Sequence, residues 1–339
     1  MAFCCSLGLA FCMATTSAFA QAVGSQDSLR PYSDPGVRGM QKPKGIEVKY
    51  ERILDYGIRS QARGQGLTDG KGEVSRSRRW EFKAKVPMVN KPAFKLAAGL
   101  NYLVEEYRFE NVAVKPYPFY TSLEDKSLKS LGASLYLLKS TRGQTFFVVR
   151  ASVNLNGDYQ AGNLPTADYL RVSVSPLLGW KKTPDLSYGL GFSYSYDFGR
   201  PAIYPMLVYN QTFNPRWGVE AILPAYVKLR YNLNPTSVAY LKAEGNGANY
   251  NLRLAYPNNQ ETRTYYLRSL AARLVLDYER EIYDFLWGGL EAGVRRNLDF
   301  SLATTNRRRS STVLDNRLKD AFFFEATLFL VPPKRFLKF

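Results

Sequence analysis

Between Arg216 and Arg230 the chain reads RWGVEAILPAYVKLR. Every second residue forms one unbroken apolar row: Trp217, Val219, Ala221, Leu223, Ala225, Val227 and Leu229. The alternate row holds Glu220, Ile222, Pro224, Tyr226, Lys228 and Arg230. Successive side chains of a strand point to opposite faces, so one face is apolar throughout and the other is largely polar. At about fifteen residues the stretch exceeds the usual five or six of a soluble strand. A tilted strand crossing a bilayer needs roughly 9–11 residues. The expected fold class is all-β, a transmembrane antiparallel up-and-down β-barrel.

The alternation recurs along the chain. In Ile46–Ile58, the residues Ile46, Val48, Tyr50, Leu54, Tyr56 and Ile58 share one face, and Glu47, Lys49, Glu51, Asp55 and Arg59 share the other. After a Gly- and Arg-rich loop, Ser60–Arg79, come Trp80, Phe82, Ala84 and Val86 against Glu81, Lys83 and Lys85. Further strands are predicted over Phe94–Val104, Leu131–Leu137, Phe147–Leu155, Leu170–Trp180, Tyr188–Phe198 and Ile203–Phe213. Beyond the Arg216–Arg230 strand they continue over Val238–Glu244, Tyr250–Tyr256, Tyr266–Tyr278, Phe285–Val294 and Phe322–Leu330. The count is about 14, an even number as in bacterial single-chain barrels, or 12 if Val238–Glu244 and Tyr250–Tyr256 are not both spans.

Connection lengths give an independent check. Short turns at Pro87–Pro92, Lys139–Gln144, Lys181–Asp185, Asn214–Pro215, Gly245–Gly247 and Glu279–Asp284 fall at one end. Long loops at Ser60–Arg79, Glu110–Lys126, Asn156–Ala167 and Ser301–Lys319 fall at the other, as short periplasmic turns and longer external loops require. Pro224 in the middle of a predicted strand, with Pro205 on the strand before it, removes ladder donors from a barrel that has no edge. A bulge or weakened seam is expected there.

Met1–Ala20 is apolar and uncharged and ends Ser17-Ala18-Phe19-Ala20, the form of a signal peptide cleaved after Ala20, although it lacks a basic start. Gln21–Lys44, rich in Gly, Pro and Ser, reads as a periplasmic linker or short plug, and the barrel domain follows over 45–339. Cys4, Cys5 and Cys12 all lie in the leader, so the mature chain has no thiol for a disulfide or metal site. An exported chain of long amphipathic strands, with no helical span, belongs in the outer membrane of a Gram-negative bacterium. The 24 Tyr and 20 Phe suit interfacial aromatic girdles. A Tyr-rich soluble β-sandwich is the competing architecture, and its strands would be shorter.

The net charge of +17 falls on the mature chain, and export argues against nucleic acid as its partner. Outer-membrane lipid, lipopolysaccharide or an anionic solute is the natural partner, besides the barrel assembly machinery during biogenesis. Arg76, Arg78, Arg79, Arg263, Arg268, Arg295, Arg296 and Arg307–Arg309 are expected at the outer rim. There they either bridge lipopolysaccharide phosphates or remain solvated. There is no histidine, which removes Ser/His and Asp/His hydrolytic constellations and imidazole metal ligands. No cofactor motif is present, and a non-enzyme is expected. Barrel phospholipases, acyltransferases and omptin proteases rely on a catalytic His, so none of their sites carries over.

The inward rows hold the candidate functional residues, all expected to line the lumen: Glu47, Lys49, Glu51, Asp55, Lys83, Lys85, Arg150, Asp197, Glu220, Lys228, Arg230, Arg253, Arg273, Asp277, Glu291, Arg295 and Glu325. Such charges are costly on a lipid face. Either they line a wet pore or they pair across the lumen and close it. A barrel of about 14 strands is hard to fill with side chains alone, which favours a pore or cavity. A passive pore or transporter for small solutes or hydrophobic compounds is the leading expectation. A non-conducting structural or adhesive barrel is the rival.

Thr212–Leu233 (TFNPRWGVEAILPAYVKLRYNL) and the closing Ala326–Pro333 segment (ATLFLVPP) resemble an uncharacterised family of outer-membrane β-barrel domains of unknown function. The resemblance implies the barrel and its location and transfers no site. The terminal Phe339 matches the aromatic ending that barrel assembly tends to read, with Pro332-Pro333 set between it and the last strand.

Overall fold

The computed structural model describes residues 33–64, 67–141, 143–159, 167–255, 262–306 and 311–331. The leader Met1–Ala20, residues 21–32, Arg307–Arg309 and Pro332-Pro333 lie outside them. One antiparallel sheet of sixteen hydrogen-bonded segments closes on itself. Its first and last strands are each broken once, so the wall has 14 strands. We number them β1 (Ile46–Ile53 and Tyr56–Ala62), β2 (Gly70–Lys91), β3 (Phe94–Glu110), β4 (Leu128–Ser140), β5 (Thr145–Gly157), β6 (Leu170–Thr183) and β7 (Leu186–Ser195). The remainder are β8 (Ala202–Thr212), β9 (Trp217–Leu223), β10 (Tyr226–Asn234), β11 (Ser237–Ala255), β12 (Thr262–Tyr283), β13 (Leu286–Ala303) and β14 (Thr312–Leu318 and Ala321–Leu330). Each strand pairs with the next in sequence, and β1 closes on β14 from Ile46↔Leu330 to Ile53↔Phe323. One helix, α1 (Pro118–Lys126), lies between β3 and β4.

The count of 14 agrees with the sequence, but two of its strands are placed differently. Arg216–Arg230 is a hairpin, with β9 and β10 joined through Pro224-Ala225. Val238–Glu244 and Tyr250–Tyr256 belong to β11, so the turn expected at Gly245–Gly247 is absent. There the strand stays in register with β12, Gly245 opposite Ala272 and Gly247 opposite Leu270. These glycines mark a close approach of another segment, as an isolated strand glycine often does. A Cβ on Gly247 would overlap the Asp197 carbonyl oxygen. The expected bulge at the two prolines is also absent. Register runs unbroken from Gly218↔Thr212 to Leu223↔Leu207 and from Leu186↔Gln211 to Ser195↔Ala202. Pro224 sits in the turn, and Pro205 lies two residues beyond the last β8 residue paired to β9.

Two loops are shorter than expected. Most of Ser60–Arg79 is strand, and so is much of Ser301–Lys319. In β1 the ladder breaks at Leu54–Asp55 and the faces exchange. Ile53 is buried before the break, and Tyr56 and Ile58 are buried after it, so these two residues point inward and not to the apolar outer face. Asp55, expected in the lumen row, is exposed at the break.

Strand length varies around the wall. The seven residues of β9 contrast with the 22 of β2 and β12. At the loop end, β10 leaves β11 beyond Glu244, and other backbone takes up the freed side. Asp158 N donates to Asn251 O across the barrel at 3.2 Å, and Asn156 Nδ2 donates to Asn249 O at 3.2 Å. The ends of β5 and β11 thus meet in a single parallel bridge, Gly157 with Asn251. The strands β11–β14 and β1–β5 enclose α1 as a narrower upper tier. Its interior is an apolar core including Tyr56, Ile58, Val74, Phe109, Phe119, Tyr120, Leu252 and Phe300. That burial is the main stabilisation of the tier, since each fully buried large apolar side chain contributes about 1.5–3 kcal/mol. A wide barrel closes here because a helix supplies the bulk that wall side chains alone do not.

The turn end is crossed by residues 33–44. Pro35 O accepts from Ser187 Oγ at 2.6 Å and Asn210 Nδ2 at 3.1 Å. Arg38 O accepts from Thr212 Oγ1 at 2.5 Å and Arg230 Nη2 at 3.2 Å. Lys44 Nζ reaches Glu279 at 2.7 Å and Glu47 at 3.3 Å. This strap passes along the inner wall from the β4–β5 turn to β12. Gly218 is empty beside it because a Cβ there would overlap the Arg230 guanidinium.

Candidate functional site: an ionic wall and a basic chamber

Strand register places four carboxylates in one transverse row. Glu51 is opposite Glu325, Glu325 opposite Glu291, and Glu291 opposite Asp277, on β1, β14, β13 and β12. Like charges directly opposite on a sheet repel, and these four are at most 7% exposed. Three cations from other rows hold them. Lys49 Nζ lies 2.7 Å from Glu325 and 4.0 Å from Glu291. Lys242 Nζ lies 2.7 Å from Glu291 and 3.1 Å from Asp277. Arg273 lies 2.5 Å from Glu51 and 4.0 Å from Glu325, with its guanidinium over the Phe323 ring at 3.9 Å. Each cation spans two carboxylates, which is what removal from water requires of such a cluster. Glu47 joins the network through Lys44 and Lys49. Along this side of the barrel the inward charges pair and fill the lumen.

The opposite side is open. Strands β2–β6, the Tyr196-Asp197 segment and β11 enclose a cavity of about 240 Å3. Arg79, Lys83, Lys85, Arg150 and Arg171 outnumber Glu81, Glu105 and Asp197 in its lining, together with Asn101, Asn154, Ser130 and Ser134. Lys83 is tied to Glu81 at 2.9 Å. Lys85 and Arg150 flank the Tyr136 ring at 5.1 and 5.7 Å, and among the described residues neither has an ion-pair partner. Arg171 donates to Asn249 Oδ1 at 2.9 Å and to the Asp168 carbonyl at 2.6 Å. The small Ser and Asn side chains of β4 and β5 leave this space beside the filled half.

The loop Tyr196–Pro201 separates the chamber from the loop end above the low β8–β10 wall. It is held by Asn249 Nδ2, which donates to Gly199 O at 2.9 Å. At the other end the strap lies against β6, β7 and β8, with Lys181 Nζ 3.4 Å from Asp34.

The remaining expected residues divide between these parts. Glu220 pairs with Arg230 at 3.7 Å, beside the strap. Lys228 lies over Tyr226 and Tyr240 at 4.7 and 5.8 Å. Arg295 lines a small gap with Glu51, Arg79 and Glu105. Asp197 lies in the loop and not on a strand, 3.5 Å from the Tyr204 hydroxyl. Arg253 leaves the inward row. Tyr250, Leu252 and Leu254 face the core of the tier, and Arg253 packs over Tyr169 at 5.4 Å on the other face of β11.

The outer rim also differs from expectation. Arg79 points inward, 3.9 Å from Glu81 and from Glu105. Arg268 is buried and donates to Thr305 O at 2.8 Å. Sequence reasoning missed Lys44, Arg79, Arg171, Lys242 and Glu279, and set Glu81 on the inward row without singling it out. For Lys242 the signal was available, since Val238, Tyr240, Lys242 and Glu244 alternate with Ala239, Leu241 and Ala243.

No curated protein matches the chain. Among solved structures it is similar to the COG4313 outer membrane channel from Pseudomonas putida F1, with 10% identity, a TM-score of 0.40 and coverage of 86% of this chain and 97% of that one. It is similar to the Pseudomonas putida toluene transporter TodX, with 11% identity, a TM-score of 0.38 and coverage of 94% and 97%. It is also similar to the outer membrane protease OmpT from Escherichia coli, with 8% identity, a TM-score of 0.34 and coverage of 86% and 98%. The family model for a domain of unknown function, DUF6268, matches residues 128–328, from β4 almost to the end of β14, and the chain belongs to that family.

Proposed function

We propose that this protein is a non-enzymatic outer-membrane channel, closed at rest, that passes small polar or anionic solutes. The observation that carries the proposal is the chamber, with Lys85 and Arg150 turned into it and without ion-pair partners among the described residues. A basic cavity of about 240 Å3 inside an apolar-faced barrel favours an anion over a cation or an oil. The strap and the Tyr196–Pro201 loop are its two closures, and each is held to the wall by a few hydrogen bonds. The route leads over the low β8–β10 wall, because the upper tier is filled.

The test is planar-bilayer conductance of the refolded protein. Discrete events with anion selectivity, reduced in a Lys85→Gln/Arg150→Gln variant, are expected. Absence of events from a correctly folded barrel would refute the channel. That outcome favours the rival reading, a non-conducting structural barrel, to which the apolar filling around α1 lends support.

A further inference from the structure

The outward faces of β14, β1, β2 and β3 repeat the inner arrangement with the opposite sign. Arg317 stands opposite Arg59, and Arg59 opposite Lys71. Arg52 stands opposite Arg78, and Arg76 opposite Arg108. Five of these seven side chains are exposed and two are half-buried. Directly opposed like charges destabilise a sheet. Inside the barrel Lys49, Lys242 and Arg273 offset the acidic row. Outside, none of the seven forms an ion pair with another described residue.

The carboxylates of this face do not serve. Glu106 is opposite Arg78 and Glu73 is opposite Glu110, yet none of the three is in ion-pair range of the seven. Asp315 is taken by Arg63 at 2.7 Å. The counter-ion therefore comes from outside the chain.

The position of the rows says which anion fits. Immediately below Arg52 and Arg78, Tyr50 and Trp80 pack together on the same face at 4.5 Å between ring centres. Val48 and Phe82 form the next row down and are exposed. Two residues of strand rise separate the aromatic row from the first arginine row, roughly 7 Å. Arg59 is seven residues above Arg52, roughly 20 Å higher. Aromatic rings mark the headgroup boundary of a barrel. Arginines directly above it, with a second set further out, match a lipid that carries phosphates both at its acylated sugars and along its extended head. Arg suits phosphate because its fork donates two parallel hydrogen bonds.

We propose that this face binds the phosphate groups of lipopolysaccharide in the outer leaflet, with Arg52 and Arg78 at the acylated end and Arg59, Lys71 and Arg317 on the outer head. The experiment measures lipid retention by the full-length barrel reconstituted in phosphatidylcholine vesicles, with and without lipopolysaccharide. Native mass spectrometry counts the bound lipid, and heat-modified gel mobility confirms folding. Wild type is expected to retain lipopolysaccharide and to lose retention when the lipid is enzymatically dephosphorylated. Arg52→Gln/Arg78→Gln is expected to weaken retention roughly tenfold or more, and Arg52→Lys/Arg78→Lys to weaken it less. In lipopolysaccharide-free detergent the Gln variant is expected to unfold at the same temperature as wild type or higher, because repulsion is relieved. A structural role would lower that temperature instead. Equal retention of dephosphorylated lipid, competition by millimolar inorganic phosphate as strong as by lipid, or unchanged retention in the folded Gln variant would each overturn the site. Should the Gln variant fail to fold, the dephosphorylation arm on wild type decides the matter.

Discussion

Glu291 and Glu325 stand directly opposite each other on β13 and β14, and Lys49 from β1 lies 4.0 and 2.7 Å from their carboxylates. The repulsion of the pair is thereby converted into a tie between three strands, two of which, β1 and β14, form the seam where the barrel closes. Removing one partner of a buried ionic group costs about 3–5 kcal/mol, because the charge left behind has no counter-ion. Lys49→Met is expected to destabilise the folded barrel by about that amount, and adding Glu325→Gln should recover part of it. Denaturant unfolding in detergent, followed by tryptophan fluorescence, measures both. A Lys49→Met barrel as stable as wild type would mean that water reaches and screens this wall.

The strap offers a direct test of closure. Arg38 N donates to Pro184 O at 3.1 Å, and the Arg38 guanidinium lies 3.5 Å from Asp185. An Arg38→Cys/Asp185→Cys pair should therefore form a disulfide that fixes the strap across the turn end. Low conductance when oxidised and a rise on reduction are expected in planar bilayers. Identical conductance in both states would mean that the strap does not obstruct the path.

Much of the wall was legible because its outer face is apolar at every second position, and the two faces of the closing segment Phe322–Leu330 are as expected, although β14 also takes in Thr312–Leu318 from the expected loop. Phe322, Phe324 and Leu328 are more than half exposed while Phe323, Glu325 and Phe329 are buried. The hairpin at Pro224-Ala225 was not legible, and its register explains why. Ile222 pairs with Tyr226, so three residues separate them and facing partners keep the same odd or even parity. The alternation runs through the turn as though nothing happened there. The mirror error occurred at Gly245–Gly247, where glycines that admit the Tyr196–Pro201 loop look like turn residues. The two errors cancelled in the count. For the site, strand parity shows which charges face inward but not which lie level with one another. Level depends on register, and the acidic row appears only once four strands are aligned. Asp55 and Arg253 were misplaced for a related reason, since a break in β1 and an assumed turn in β11 each shift parity beyond them.

A side chain at Gly247 should report on the second closure. A Cβ there overlaps the Asp197 carbonyl oxygen and approaches Ser269 O at 2.9 Å, both of them backbone. Gly247→Val is expected to displace the Tyr196–Pro201 loop most and to press more weakly on the β12 backbone at Ser269, at an overpacking cost of about 1–3 kcal/mol. Limited proteolysis should then cut near Arg200 faster than in wild type. An unchanged cleavage rate at that site would show that the loop accommodates the side chain without moving.

The upper tier has its own titration. Tyr117 is buried at the start of α1, where its hydroxyl donates to Thr68 O at 2.8 Å. Burial, with the nearby Asp69 carboxylate adding to it, pushes the phenol up from 10.0 to about 12. Tyr120 is pushed up by burial as well, and its hydroxyl is 2.8 Å from Ser60 Oγ. A phenol whose folded pKa is raised stabilises the fold fully below its unfolded value. That contribution is lost as pH rises from 10.0 towards about 12, because the unfolded chain gives up its proton first. Docking of α1 should therefore weaken across that window while the ladders below it persist. Phenolate absorbance at 295 nm, read beside protease access to α1, checks it in wild type and in Tyr117→Phe. The phenylalanine variant gives up the hydrogen bond to Thr68 O, so its helix should be less protected at neutral pH by about 1 kcal/mol. It should also lose less protection between pH 10 and 12 than wild type. Equal alkaline loosening in the two proteins would assign the transition to other tyrosines.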